Sequence, residues 1–145
     1  MAVQPTGTTE EAWATASARE LAGAVRRREV SSRELLELYL DRIDRYDGPI
    51  GAVVTLDAEG ARRRCAEADE ALVRGRPLGP LHGLPVTVKD AIATAGLRST
   101  GGAAELLDHV PAEDAPAVAR LRAAGAVVFG KTNLSRWSGD LQSYN

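Results

Sequence analysis

The segment Gly79-Pro-Leu-His-Gly-Leu-Pro-Val-Thr-Val-Lys-Asp90 joins a loop to a strand near the middle of the chain. Its closely spaced glycines and prolines predict a shaped loop, because these residues allow or impose the backbone angles of turns. The β-branched run from Val86 to Val88 then predicts a buried strand. We therefore expect Lys89 to stand at the exit of a strand.

A second long segment, Asp114-Ala-Pro-Ala-Val-Ala-Arg-Leu-Arg-Ala-Ala-Gly-Ala-Val-Val-Phe-Gly-Lys-Thr-Asn-Leu134, has the pattern of a helix followed by a strand. Asp114 is expected to cap the helix and Gly125 to end it, and residues 126–129 to form the strand. After the strand at 86–88, this order predicts a βαβ crossover and a partly parallel sheet. The predicted fold class is α/β.

The first half of the chain is predicted to be mainly helical, after a loose tail over residues 1–15. Ser31 and Glu34 have the spacing of a capping box, which satisfies free backbone amides at a helix start. The predicted helix that follows carries an inward apolar stripe of Leu36, Tyr39, Leu40, Ile43 and Tyr46. The other predicted elements are helices over 16–28 and 57–74 and a strand over 52–56.

The composition is typical of a single globular domain and argues against several functions. The chain has 145 residues, 44% of them hydrophobic, and a net charge of -2. Arginines alternate with acidic residues, so nucleic acid is not an expected direct partner. No apolar run is long enough to cross a bilayer and no secretion signal is recognisable, which predicts no membrane partner and a cytoplasmic location.

Cys65, His82 and His109 are candidates for nucleophilic or metal chemistry. Neither histidine has a partner at the spacing of metal ligands, so no metal site is predicted. Cys65 lies among alanines in a helical pattern, which favours a packed thiol over a nucleophile.

Residues 125–132 match the nucleotide-binding pattern GxxxxGKS/T of a P-loop. A P-loop holds its four variable residues in a loop whose backbone amides point at phosphate. Here these residues are Ala-Val-Val-Phe, which we assign to a strand, and the sequence after Lys131 is a poor helix start. A nucleotide-binding module is therefore a disfavoured alternative.

Sixteen of the 18 basic residues are arginine, and the two lysines are Lys89 and Lys131. Lysine can lose its proton in a protein whereas arginine cannot, which makes the lysines candidates for acid–base chemistry. Strand alternation places Lys89 on the face of Thr87, with Asp90 pointing away. We expect burial to lower the Lys89 pKa towards 7, a shift of about three units or about 4 kcal/mol.

The segments Gly79–Asp90 and Asp114–Leu134, together with the loop Ser99-Thr-Gly-Gly102, resemble the N-terminal part of an amidase signature family enzyme. The resemblance runs from about Ala16 to Asn145. It implies that residues 16–145 are the N-terminal portion of one domain, a mixed sheet flanked by helices that is incomplete in this chain. The family commonly has Glu at the position of Arg136, which puts a local ion pair there in doubt.

The resemblance implies an amide hydrolase of the Ser-cisSer-Lys type that acts on a small-molecule carboxylic amide. Lys89 matches the family's catalytic base. It would take a proton, through a bridging serine whose peptide bond is cis, from a serine that attacks the amide carbonyl and forms an acyl-enzyme. Water then releases the acid, and no metal or organic cofactor is expected. Lys131 is expected to organise structure near the site.

The family's Gly-Gly-Ser-Ser-Gly-Gly-Ser segment is expected beyond Asn145. It carries the bridging serine and the oxyanion hole, and the nucleophile follows it. Four serines of this chain lack that glycine-rich context and are not assigned as nucleophiles: Ser99, Ser135, Ser138 and Ser143. The chain alone is therefore expected to be inactive, with open strand edges after Val86.

A close alternative is the A subunit of a glutamine-dependent tRNA amidotransferase, which shares these motifs. The expected partners of the full-length protein are then a second copy or the other amidotransferase subunits. Copurification separates the two possibilities.

Overall fold

The computed structural model describes residues 9–139, an α/β arrangement with helices on both faces of a small sheet. The α-helices are α1 (Thr9–Thr15), α2 (Ala18–Arg27), α3 (Ser32–Tyr46), α4 (Ala58–Val73) and α5 (Pro116–Ala123). The strands are β1 (Val53–Leu56), β2 (Pro85–Lys89) and β3 (Val127–Thr132). Short 3-10 helices lie at Ala104–Leu106 and Arg136–Ser138.

The N-terminal segment differs from the loose tail expected over residues 1–15. Residues 9–15 form α1, whereas residues 1–8 lie outside the described part of the chain. Trp13 packs against a core cluster that includes Leu21 and Val25. The helix is stabilised by this tertiary contact, because seven residues are too few for a stable isolated helix.

Capping boxes begin two of the helices. The predicted box of α3 is confirmed: Glu34 N donates to Ser31 Oγ at 3.1 Å, and Ser31 N donates to Glu34 Oε2 at 2.8 Å. A second box, between Ser17 and Glu20, begins α2 and was not predicted. These boxes satisfy amides that a helix start leaves free.

The apolar stripe of α3 is shorter than predicted. Leu36 is fully buried and Ile43 is packed against the core, but Tyr46 is 53% exposed. The Tyr46 ring lies 5.3 Å from the Arg42 guanidinium carbon, a cation–π contact at the surface. The prediction that Tyr46 faces inward is wrong because α3 extends past the edge of the core.

The start of α5 also differs from the prediction. Ala115, and not Asp114, is the N-cap residue, and Pro116 occupies the first turn, where its missing amide costs nothing. Asp114 Oδ1 instead accepts a hydrogen bond from Ala95 N at 2.7 Å. Its other oxygen lies 3.2 Å from Arg122 Nε. Asp114 therefore ties the preceding loop to the helix.

The sheet has the order β1-β3-β2 and is mixed. β3 pairs parallel to β2 and antiparallel to β1. The parallel pair, joined through α5, confirms the predicted βαβ crossover. β3 is therefore the central strand, and its two edges pair with β1 on one side and β2 on the other.

A β-bulge in β3 changes which side chains share a face. Between the pairs Val86–Val128 and Thr87–Gly130, the register advances one residue on β2 and two on β3. Phe129 is the extra residue, and Val88 pairs with Lys131 beyond it. Val128 and Lys131 therefore point to the same face although they are three residues apart.

Each face of the sheet has its own hydrophobic cluster. On one face, Val127 and Phe129 pack against α3 and α4 together with Cys65. On the other, Val88 and Val128 pack with Val118 of α5. The two faces are thus covered by different helices, as expected of an α/β fold.

The glycine and proline loop before β2 is docked on the turn between α5 and β3. Leu81 N donates to Ala124 O and Gly83 N donates to Gly125 O, both at 2.8 Å. Gly125 has φ +94°, and a Cβ there would lie 2.9 Å from His82 Cα. This close approach holds the start of β2 in place.

Candidate active site

Lys89 lies at the carboxyl end of β2, as the sequence predicts. Its side chain and that of Thr87 are exposed, while Val88 between them is buried. Lys89 Nζ donates to Asn133 O, just after β3, at 2.5 Å. The predicted alternation is confirmed, but the expected burial of Lys89 is not provided by residues 9–139: the lysine is exposed to solvent.

Asp90 points to the opposite side of the sheet from Lys89 and is 1% exposed. Its Oδ2 atom accepts hydrogen bonds from Thr100 N at 2.9 Å and from Thr100 Oγ1 at 2.5 Å. Gly102 N donates in turn to Thr100 Oγ1 at 3.1 Å. Asp90 therefore anchors the small-residue loop at 99–102 beside the end of β2.

Lys131 is the buried lysine of the pair. It lies within β3, with its side chain wholly shielded from solvent. Its Nζ donates to Ile92 O at 2.7 Å and to Ser99 Oγ at 2.5 Å. Burial lowers the Lys131 pKa, and the negative charge of Asp90 opposes part of that shift.

The sequence does not predict that Lys131 is buried while Lys89 is exposed. Simple alternation along β3 places Lys131 with Phe129, on the face of α3 and α4. The bulge at Phe129 moves Lys131 to the other face, where the loop after β2 covers it. No feature of the sequence that we recognised marks this bulge.

Ser99 and Lys131 lie side by side, as a serine nucleophile and its base would, but their hydrogen bonds indicate a structural pair. The Ser99 hydroxyl donates to Leu97 O at 3.1 Å and accepts from the Lys131 amine. Ser99 is 6% exposed. A nucleophile would direct its proton towards the lysine, so Ser99 stays unassigned to catalysis. Ser143 lies outside the described residues.

A cavity of about 890 Å³ opens beside the Lys89–Asn133 contact. Its lining includes Thr55, Asp90, Thr100 and Asn133. Three buried oxygens of these residues, Thr55 Oγ1, Asp90 Oδ1 and Asn133 Oδ1, have no hydrogen-bond partner within residues 9–139. The volume is in the range of small-molecule sites.

Arg136 forms an ion pair despite standing where the family commonly has Glu. Its Nη2 contacts Glu105 Oε1, and both residues line the same cavity. Both side chains are exposed, so the pair contributes little to stability.

The other candidate residues have structural surroundings. Burial raises the pKa of the Cys65 thiol, which packs within a core cluster. His82 is 2% exposed, and its Nδ1 accepts from Leu78 N at 2.9 Å. Within residues 9–139, no cluster of three His, Cys, Asp or Glu side chains could hold a metal ion.

The P-loop pattern at 125–132 lies on a strand. β3 includes Gly130 and Lys131, and a 3-10 helix of three residues follows at Arg136–Ser138. A Cβ on Gly130 would lie 2.7 Å from Thr55 O. This glycine allows two strands to approach and does not open a phosphate-binding loop.

None of the helices described over residues 9–139 has the length and apolar character needed to cross a membrane.

A lysine at the carboxyl end of a parallel strand, beside a cavity of small-molecule size, is an arrangement typical of α/β enzymes. The chain belongs to the amidase signature family: the family model described as Amidase matches residues 34–145. The A subunit of the glutamyl-tRNA(Gln) amidotransferase of Salinispora tropica is 44% identical over 122 residues. That match covers 84% of this chain and 25% of the relative. The chain thus spans about a quarter of the length of such relatives.

Solved structures show the same fold. The peptide amidase of Stenotrophomonas maltophilia has a TM-score of 0.79 and 41% identity, covering 86% of this chain and 26% of that protein. A fatty acid amide hydrolase has a TM-score of 0.87 over 96% of this chain and 25% of its own. At 24% identity, the latter likeness shows the fold alone.

Proposed function

We propose that this chain is the N-terminal segment of an amide hydrolase of the Ser-cisSer-Lys type, in which Lys89 is the catalytic base. The observation that carries the proposal is the position of Lys89. It ends the strand β2, its amine reaches Asn133 O, and Asn133 lines the cavity of about 890 Å³. That place suits a base which works on a group held in the cavity.

In the proposed reaction, Lys89 accepts a proton through the bridging serine from the nucleophilic serine. The serine oxygen forms a bond to the amide carbon, the C–N bond breaks, and the proton passes to the leaving nitrogen. Water then cleaves the acyl-enzyme and releases the acid. Both serines are placed beyond Asn145 in this proposal, and that segment would also cover the exposed Lys89 amine.

The first experiment replaces Lys89 with Ala in the complete protein. Loss of a general base lowers turnover by about 10² to 10⁴-fold, so amide hydrolysis is expected to fall at least about 100-fold. Arg74→Met is the matched control, since it removes an exposed cation paired with Glu70 at the end of α4. Unchanged hydrolysis in Lys89→Ala, measured as ammonia or amine release, would sink the proposal.

The likeness to the A subunit of a glutamyl-tRNA(Gln) amidotransferase favours a second candidate function. In that case the complete protein releases ammonia from glutamine and works with other subunits. Copurification of such subunits with the tagged protein decides between the two functions. A free-standing amidase copurifies alone or with a second copy.

We also propose that the chain by itself is inactive and that the protein is located in the cytoplasm. Inactivity follows because this proposal places the bridging serine, the nucleophilic serine and the oxyanion hole beyond Asn145. An assay of the isolated chain against simple carboxylic amides tests this, and measurable turnover would contradict it.

A further inference from the structure

The buried residue Lys131 has no part in the proposed reaction. Its side chain is wholly buried, and the two acceptors of its amine, Ile92 O and Ser99 Oγ, are neutral. Burial of an ammonium group costs several kcal/mol unless specific contacts offset it. A methionine would fill the same space without that cost. The hydrogen bonds made by the amine are therefore what distinguishes lysine from methionine at this position.

Those contacts lead to the backbone of Lys89. Lys131 Nζ donates to Ile92 O at 2.7 Å, and Ile92 N donates to Lys89 O at 2.9 Å. One residue therefore joins the buried amine to the peptide unit of Lys89. On the other side, Asp90 N donates to Thr132 O at 2.9 Å, next to Lys131 in β3.

The loop at 99–102 is held from two sides. The amine of Lys131 binds Ser99 Oγ, and the carboxylate of Asp90 binds both Thr100 N and Thr100 Oγ1. These opposite charges lie on the same side of the sheet, and the negative charge of Asp90 favours the charged state of Lys131. The turn that leaves β2 is thus tied both to β3 and to its own loop.

Within the described residues 9–139, the Lys89 side chain makes one hydrogen bond, from its amine to Asn133 O. Its long, exposed side chain gains little from packing, so its direction depends on the backbone from which it projects. That backbone ends at the turn held by Lys131. A shift of the turn would carry the Lys89 amine away from Asn133.

We propose that Lys131 is a positioning residue for Lys89: its buried amine holds Ile92 and Ser99 and thereby sets the direction in which the Lys89 amine leaves β2. The catalytic meaning of this role rests on the proposed function, whereas the geometry does not. A base held in the wrong direction loses rate steeply, since a misplacement of about 1 Å can cost about 100-fold.

The two lysines of the chain make a direct test possible. Lysine labelled with ¹³C at Cε gives one methylene signal from each residue, and Lys131→Met identifies the signal of Lys89. In the unaltered chain, the bond to Asn133 O is expected to keep the two Lys89 Hε resonances resolved. In Lys131→Met they are expected to merge, because a freely rotating side chain averages them.

The control variant is Arg74→Met, which removes an exposed cation paired with Glu70 at the end of α4 and should leave the Lys89 signal unchanged. Where Lys131→Met does not fold, Ser99→Ala decides, because it deletes one acceptor and keeps the lysine. A folded variant of either kind with fully resolved Lys89 resonances would overturn the proposal. A variant that only lowers the unfolding temperature would overturn it too.

The complete protein supplies the kinetic arm. Lys131→Met is expected to lower kcat about tenfold or more, with KM little changed, because Lys131 does not touch the cavity. Lys89→Ala tests the proposed function separately. If Lys89→Ala abolishes turnover while Lys131→Met leaves both kcat and the Lys89 resonances unchanged, the positioning role fails and the function stands.

Discussion

The side chains of Lys89 and Lys131 lie on opposite faces of the sheet. Strand alternation and the family motif were enough to place Lys89 at the end of β2 and Asp90 on the other side. They were not enough to show that Lys131 is the buried one, because its face depends on the bulge at Phe129. Side-chain direction after a bulge is a property of strand pairing, which one segment alone does not reveal.

Glu34 makes the stability of the fold depend on pH. Hydrogen bonds from the Ser31 backbone and hydroxyl lower the Glu34 pKa below its ordinary value of 4.5. The unfolded chain therefore binds the proton more readily, so this contribution to stability is present above pH 4.5 and is lost as the pH falls through the folded-state pKa.

Glu34→Gln should accordingly lower the unfolding temperature at neutral pH, and the gap from the unaltered chain should close in acid. Thermal unfolding followed by circular dichroism over a pH series measures the gap. Glu67→Gln, an exposed change within α4, is the control. A gap that stays constant into acid would mean that the carboxylate charge does not contribute at this cap.

At the scale of elements, the joint between the loop before β2 and the turn before β3 sets the position of the site. Gly125 combines φ +94° with a Cβ position 2.9 Å from His82 Cα. Neither the strain nor the contact can be relieved by rotating a side chain, because the neighbouring atom is backbone. The joint thus places the start of β2 relative to β3.

Gly125→Ala is expected to destabilise the fold by about 2 kcal/mol or more, from left-handed strain and the backbone contact together. Chemical denaturation measures the loss. Gly48→Ala is a matched control, since an added Cβ at Gly48 meets nothing within 4 Å. Equal stability of the two variants would show that the loop moves away from the turn at little cost.

At the scale of the whole molecule, the described residues form a sheet with one fully paired strand. β3 has a neighbour on each side, whereas β2 pairs with β3 alone within residues 9–139. Lys89, at the end of β2, is exposed in a chain that spans about a quarter of the length of its curated relatives. The arrangement of the strands in the isolated chain depends on the helices that cover the two faces of the sheet.

Cys65 reports on that integrity because it is the single cysteine and is 0% exposed among α3, α4 and β3. Its raised thiol pKa also disfavours the reactive thiolate. A thiol reagent should therefore label the native chain slowly and the denatured chain at the rate of a free cysteine. Rapid labelling in native buffer would mean that this core opens when the chain is isolated.

Most of the elements were predictable from local patterns, since the strand β2, the helices α3 and α4 and the βαβ crossover all carry clear signals. The departures are places where tertiary contacts decide. Trp13 stabilises α1 through a distant cluster, and Asp114 binds Ala95 in preference to capping α5. The position of Lys89 at the end of a strand was predictable from the sequence, whereas its exposure and the burial of Lys131 depend on the packing of separate segments.

The central place of β3 also sets the order in which this molecule can be built during synthesis. Both of its neighbours are made earlier, β1 more than seventy residues before and β2 about forty. As the chain leaves the ribosome, α2, α3 and α4 can pair as soon as they emerge, but β1 and β2 have no strand between them. The sheet, and with it the fixed end of β2 that carries Lys89, can form only after residue 132 has appeared.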